Sequence, residues 1–189
     1  MSKKREPPTR DRNRAIPSKL TPPTLPKIVP RPRLFRELDR ARTRPIIWIA
    51  APPGAGKTTL VASYLHARRL RPLWYSVDER DGDLATFFHY LSLAARPLAP
   101  RKSPPLPHLT PEYLQGISVF TRNVFEALDA QLPRSAALVL DNYQTIPADS
   151  PAHEMLALGV SHLAVERPVF IISREEPPPT WAICWRRVV

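Results

Sequence analysis

Glycine, cysteine and long apolar runs are what this chain has least of. A single cysteine, Cys184, excludes an internal disulfide. The longest uninterrupted apolar stretches are strand-sized and no charged-then-apolar leader opens the chain, so a membrane span and a secretory signal are both excluded. A soluble, cytoplasmic protein with no membrane partner is expected. No internal repeat is present. Only 5 Gly occur in 189 residues, and two of them stand close together at Gly54 and Gly56.

What is abundant is proline, with 25 residues, and positive charge, with a formal balance of +11. The charge is lopsided: residues 1–45 hold 14 Lys and Arg against 4 Asp and Glu, and the remainder holds 14 against 13. The nearly neutral remainder is 144 residues long, and with 43% hydrophobic residues overall the chain suffices for one α/β domain. The basic residues Lys3, Lys4, Arg5, Arg10, Arg12 and Arg14 lie in a proline-punctuated stretch without the interleaved aromatics that stack on bases. Residues 1–30 therefore read as an extended or disordered leader with weak affinity for polyanions.

The two close glycines fall in Ala51-Pro52-Pro53-Gly54-Ala55-Gly56-Lys57-Thr58, directly after the apolar run Ile46-Ile47-Trp48-Ile49-Ala50. A strand, a tight loop, Lys, a hydroxyl residue and then a helix is the pattern of a phosphate-binding loop. Gly54 and Gly56 let the main chain turn its N–H groups against an anion; Lys57 can reach between β- and γ-phosphates; Thr58 offers a hydroxyl to Mg²⁺. The nucleotide-binding set is Pro53, Gly54, Ala55, Gly56, Lys57, Thr58 and Thr59. Ala51 stands where the usual pattern opens with Gly, a mild departure. A ligand-free Gly/Pro connection is the bland alternative, and the strand and helix context argues against it.

Along the chain, Arg33 to Arg44 predicts a short amphipathic helix, Thr59 to Arg69 the helix after the loop, and Leu73 to Val77 a second strand. Asp83 predicts an N-cap for a helix from Leu84 to about Arg96. Six prolines between Pro97 and Pro111 mark a surface connection. A helix from Tyr113 to Leu132, a strand Ala136–Asp141, a helix from Ala152 to Val165 and a strand Pro168–Ser173 follow. This order predicts an α/β fold of the P-loop NTPase class, a parallel sheet flanked by helices. Four strands are counted.

Asp141 ends an apolar strand about eighty residues after the loop, the form taken by the acid that holds Mg²⁺ opposite a P-loop. Asn142 follows where a second acid would polarise the attacking water; a carboxamide can orient that water but cannot accept its proton, so hydrolysis should be slow. Arg174 closes the fourth strand on the same edge and is placed to sense a γ-phosphate, a solvated strand-end Arg being the alternative. The catalytic candidates are thus Lys57, Asp141, Asn142 and Arg174, and the metal candidates Thr58 and Asp141.

These residues resemble the nucleotide-binding domain of MalT-like STAND ATPases, within the large LuxR-type transcriptional regulators. The likeness is carried by Ser18-Lys19-Leu20-Thr21-Pro22-Pro23 with Val29-Pro30-Arg31-Pro32-Arg33-Leu34, by the loop, by Trp74-Tyr75-Ser76-Val77-Asp78-Glu79-Arg80-Asp81-Gly82-Asp83, and by Leu138-Val139-Leu140-Asp141-Asn142-Tyr143-Gln144 with the later Ile171-Ile172-Ser173-Arg174. The resemblance implies an ASCE-type sheet, an ATP/ADP switch with Mg²⁺, Arg31 on the adenine and ribose side, Asp141 as the metal acid and Arg174 as a sensor. It also implies that DNA is reached only through domains absent from this chain. The domain would occupy residues 31–179; residues 180–189 stop resembling the family, and the chain reads as a truncated product. With four strands where the family has five, an unpaired edge would invite self-association.

Two other functions compete. One is a small P-loop kinase with the Asp78 region receiving an acceptor hydroxyl; the other is a basic nucleic-acid-binding protein in which the loop is incidental. Deleting residues 1–17 separates the latter: in a filter-binding assay at low salt, polyanion retention should vanish while nucleotide binding survives. Loss of both together would favour the nucleic-acid reading.

Overall fold

The computed structural model describes residues 16–25, 31–181 and 185–187. The basic cluster Lys3 to Arg14, the segment around Val29 and Pro30, and Cys184 lie outside the described residues. The elements are α1 (Pro32–Ala41), β1 (Ile46–Ala50), α2 (Lys57–Ala67), β2 (Arg71–Ser76), α3 (Leu84–Ala95), α4 (Ile117–Gln131), β3 (Ala136–Asp141), α5 (Ala152–Ser161), β4 (Val169–Ser173) and β5 (Trp185–Arg187). The strands form one sheet in the order β2-β3-β4-β1-β5. Every pairing is parallel.

Parallel strands must be linked by crossovers, which lay helices on both faces and leave the strands no solvent side. β1, β3 and β4 are accordingly buried at every position. Alternation divides their side chains between two cores. Ile47, Ile49, Val139, Phe170 and Ile172 pack against Leu38 of α1 and Leu60, Val61, Tyr64 and Leu65 of α2. Trp48, Leu138, Leu140, Val169 and Ile171 pack on the other face against Phe87, Leu91, Phe120, Phe125 and Leu156 of α3, α4 and α5. At about 1.5–3 kcal/mol for each large side chain taken from water, these two layers supply most of the driving force for folding.

β2 begins two residues before the predicted strand and includes Pro72. As an edge strand it pairs with β3 alone, and since the Arg71 N–H donates toward β3, to the Ser135 carbonyl at 2.8 Å, the nitrogen of Pro72 faces outward and costs no ladder bond. α4 begins at Ile117 rather than Tyr113, because Gly116 takes a non-helical backbone (φ −124°, ψ 33°) and Pro111–Gly116 winds as a 3₁₀ turn. α5 stops at Ser161 rather than Val165; the chain must then turn into β4, and Pro168 disfavours helical backbone at Arg167. Asp83 caps α3 as predicted, its Oδ2 accepting from the Thr86 N–H at 2.8 Å.

The count of four strands is corrected to five: Trp185–Arg187 pairs with Ile46–Trp48 of β1. The strand missing from that count is the one that covers β1, which is therefore not an edge. Within the stretch read as an extended leader, Ser18–Leu20 winds as a 3₁₀ turn and Leu20 is buried in the core. Among the described residues no helix is long and apolar enough to cross a membrane.

Gly159 is where α5 meets α4 without a side chain between them. A Cβ there would stand 2.3 Å from Cε2 of Phe125. Gly159→Ala should therefore destabilise the fold: overpacking costs about 1–3 kcal/mol, offset by at most about 1 kcal/mol of helix propensity. A fall of about 2–6 °C in thermal midpoint is expected by scanning calorimetry; a rise would show that the helices separate freely.

Candidate functional site

The loop after β1 owes its shape to Gly54 and Gly56, both left-handed at φ 78° and 76°. A Cβ at Gly54 would meet nothing within 4 Å, so it is the backbone conformation and not crowding that demands glycine there. Ala51 is not among the described residues with positive φ, which explains why it can replace glycine without strain. α2 then starts at Lys57, with no capping side chain and no acidic residue in its first turn. Its unpaired N–H groups and positive dipole end remain available to an anion.

Register brings the remaining groups to the same edge. Ala50 of β1 is level with Ser173 of β4, and Asp141 of β3 with Ser76 of β2. β4 lies between β1 and β3, so Asp141 is two strands away from the loop's own strand. The first turn of α2 closes that gap: Thr58 Oγ1 donates to Asp141 Oδ1 at 3.2 Å. The Asn142 N–H donates to the same oxygen at 2.9 Å. Asn142 itself is left-handed (φ 59°), a conformation Asn tolerates, and its Nδ2 donates to Ser76 Oγ at 3.2 Å.

Lys57 folds back so that Nζ donates to the carbonyls of Ala51 and Pro52, at 2.5 and 3.0 Å. Arg174 follows β4, with its N–H donating to Gln144 Oε1 at 3.0 Å. These groups share a cleft of about 260 Å³ with Pro53, Gly54, Gly56, Thr58, Asp141 and Asn142. Burial and the nearby Arg174 charge lower the Lys57 pKa, against the pull of Asp141. Burial raises that of Asp141, opposed by the hydrogen bonds from Thr58 and Asn142 and by the Lys57 charge. Two cations thus face one buried carboxylate, an arrangement with room for a further anion.

Arg31 reaches the loop from the other side, Nη1 donating to the Ala55 carbonyl at 3.3 Å. It precedes α1, which is tied to α2 where Asp39 accepts from Tyr64 Oη at 2.8 Å and from Arg68 Nε at 2.8 Å. Ala55 and Thr59 belong to the loop sequence but do not line the cleft. Gln144 and Ser76 were not assigned roles from the sequence; both stand in motif blocks, but only the fold shows that they meet Arg174 and Asn142. Asp78, which a kinase would need free for an acceptor hydroxyl, is ion-paired with Lys19 at 2.8 Å.

Thr58 and Asp141 offer two hard oxygen donors that could hold a divalent cation. Among the described residues no group of three or more His, Cys, Asp or Glu could hold a metal. Such a cation would draw its remaining ligands from phosphate and water, as Mg²⁺ does in nucleotide sites.

No family model matches the chain. It is similar to the HTH-type transcriptional regulator MalT of Vibrio cholerae, 31% identical over 166 residues. The corresponding regulators of Vibrio parahaemolyticus and Serratia proteamaculans are 32% identical over 167 residues and 33% over 168. In each case 86% of this chain is covered but only 18% of the relative's length.

The raised pKa of Asp141 has a definite sign. The folded state holds this proton more tightly than the unfolded chain, so ionisation costs stability as pH rises through the titration, and that cost is absent at low pH. Asp141→Asn keeps an oxygen acceptor for Thr58 and for the Asn142 N–H. Without divalent cations its thermal midpoint at neutral pH should equal or exceed that of wild type by up to about 4 °C, the gap closing on acidification. A variant markedly less stable than wild type at neutral pH would contradict this assignment.

Proposed function

Since this chain carries a MalT-like regulator domain, we propose that it binds ATP and ADP with Mg²⁺ and acts as the nucleotide-dependent switch of a transcriptional regulator. The observation that carries the reading is the Thr58–Asp141 pair at the mouth of a loop whose two left-handed glycines precede Lys57. Lys57 exchanges its contacts with the Ala51 and Pro52 carbonyls for phosphate oxygens, and the N–H groups at the start of α2 donate to the anion. Thr58 and Asp141 hold Mg²⁺, which neutralises phosphate charge when bound. Arg174 senses the outer phosphate from the end of β4. Arg31 covers the loop from the α1 side, where the rest of the nucleotide extends.

Turnover is slow in this reading. Asn142 can align a water molecule but cannot take its proton, and general-base assistance is commonly worth about two to four orders of magnitude. A domain that holds its nucleotide longer than it consumes it suits a switch. The term HTH-type belongs to the much longer relatives; contact with DNA is proposed only through regions other than the residues described here.

Isothermal titration with ATP, ADP and GTP, run beside Lys57→Ala, tests this. Losing hydrogen bonds to a charged group costs about 1.5–3 kcal/mol, so the variant should bind ATP roughly ten- to a hundredfold more weakly. At a hundredfold excess over Kd, nucleotide should also add about 2.7 kcal/mol of stability to the wild-type protein. Equal heats from the two proteins would mean that the loop is not the site.

A further inference from the structure

The cleft does not end at Thr58 and Asp141. It continues into a second lobe of about 390 Å³, whose outer wall is the strap Ser18, Lys19, Thr21 and Pro23. Lys19 fastens the strap. Its Nζ donates to Asp78 Oδ2 at 2.8 Å and lies 2.9 Å from each oxygen of Asp81. The ammonium also sits 4.0 Å from the centre of the Tyr90 ring.

Asp81 is fully buried and further accepts from Tyr75 Oη at 2.6 Å and from the Asp78 N–H at 2.7 Å. A buried carboxylate needs a cation, and Lys19 supplies it from 62 residues away in sequence. Deleting that charge leaves Asp81 buried beside a second carboxylate.

From the latch the path to the metal corner is short and continuous. Asp78 follows the end of β2. There the Val77 N–H donates to the Asp141 carbonyl at 2.7 Å and Thr145 Oγ1 donates to the Val77 carbonyl at 3.1 Å. Ser76 Oγ accepts from Asn142, whose N–H holds the Asp141 carboxylate. β2 is an edge strand with one partner, and the end of such a strand is among the parts of a sheet most easily opened. A brace is needed there if Asp141 and Asn142 are to keep a fixed geometry.

We propose that Lys19 is a positioning residue for the cation corner, latching the strap Ser18–Pro23 onto the end of β2 and thereby holding Asp141 and Asn142 in the geometry that receives the metal. This rests on the nucleotide reading above and deepens it. Seating of the strap and binding of the metal-loaded nucleotide strengthen one another, because coupling between two sites is reciprocal. A partner that pulls the lead-in away would weaken the hold on Mg²⁺ without touching the phosphate loop.

The test compares ADP binding to the full chain in EDTA and in Mg²⁺ for wild type and Lys19→Met, with hydrogen exchange read at individual amides. In the variant, affinity in EDTA should stay within about twofold while the gain conferred by Mg²⁺ falls about tenfold; a merely structural residue would move both alike. If Lys19→Met does not fold, Asp78→Asn loosens the same latch while leaving Lys19 on Asp81, and should cut the Mg²⁺ gain about threefold. An unchanged Mg²⁺ gain in a folded variant overturns the proposal. Should wild type bind no nucleotide, the nucleotide reading falls and the latch is judged by exchange alone. Faster exchange at Val77 and Asn142 together with Leu20 and Thr21 supports it, and faster exchange confined to Leu20 and Thr21 overturns it.

Discussion

Parallel register is the constraint on which everything at this edge depends. Each of the four longer strands arrives in the same direction, so a loop, a carboxylate, a hydroxyl and an arginine that are far apart in sequence emerge side by side. One residue of slip in β3 would turn Asp141 to the opposite face and bury Asn142 in its place. What prevents the slip is the mismatch it would create: Val139 is set among α2 side chains and Leu140 among those of α3 and α4, and both positions are fully buried. The site is therefore secured by hydrocarbon that never touches it.

The polar groups divide the remaining work. Burial disfavours the charge on Asp141, yet the Thr58 hydroxyl and the Asn142 N–H are aimed at one of its oxygens, which favours the ionised form. Burial outweighs them, so the balance still raises the pKa of a carboxyl group that both donors hold in place. Lys57, parked on two carbonyls of its own loop, is likewise satisfied but replaceable. A phosphate offers it a full negative charge where the carbonyls offer partial ones, and charge-assisted hydrogen bonds are about twice as strong as neutral ones.

What the sequence made legible and what it hid differ in physical kind. The loop, the ends of β1, β3 and β4 and the Asp83 cap are local patterns: apolar runs, a glycine pair, a carboxylate three residues before an N–H. They are read correctly because the chemistry that shapes them lies within a few residues. β5 was missed because three residues after a run of prolines carry no periodicity; its partner β1 defines it. β2 starts two residues earlier than its apolar run because an edge strand can include Pro72. Lys19 with Asp78 and Asp81, Gln144 with Arg174 and Ser76 with Asn142 join distant segments, and no window of sequence contains both partners.

These distant polar links differ from the apolar layers in one further respect. Hydrophobic burial scales with area and is indifferent to small shifts, whereas an ion pair in a partly buried setting is lost within a few ångströms once water enters. The strap is held in both ways, by the buried Leu20 and by Lys19 between two carboxylates. The sharper of the two constraints comes from one lysine placed where the edge strand ends. The glycine loop is reached instead by Arg31, just ahead of α1, whose guanidinium donates to the Ala55 carbonyl. Two parts of one cleft are thus tied to different segments, the loop to Arg31 and the Thr58–Asp141 corner to the strap by way of the end of β2.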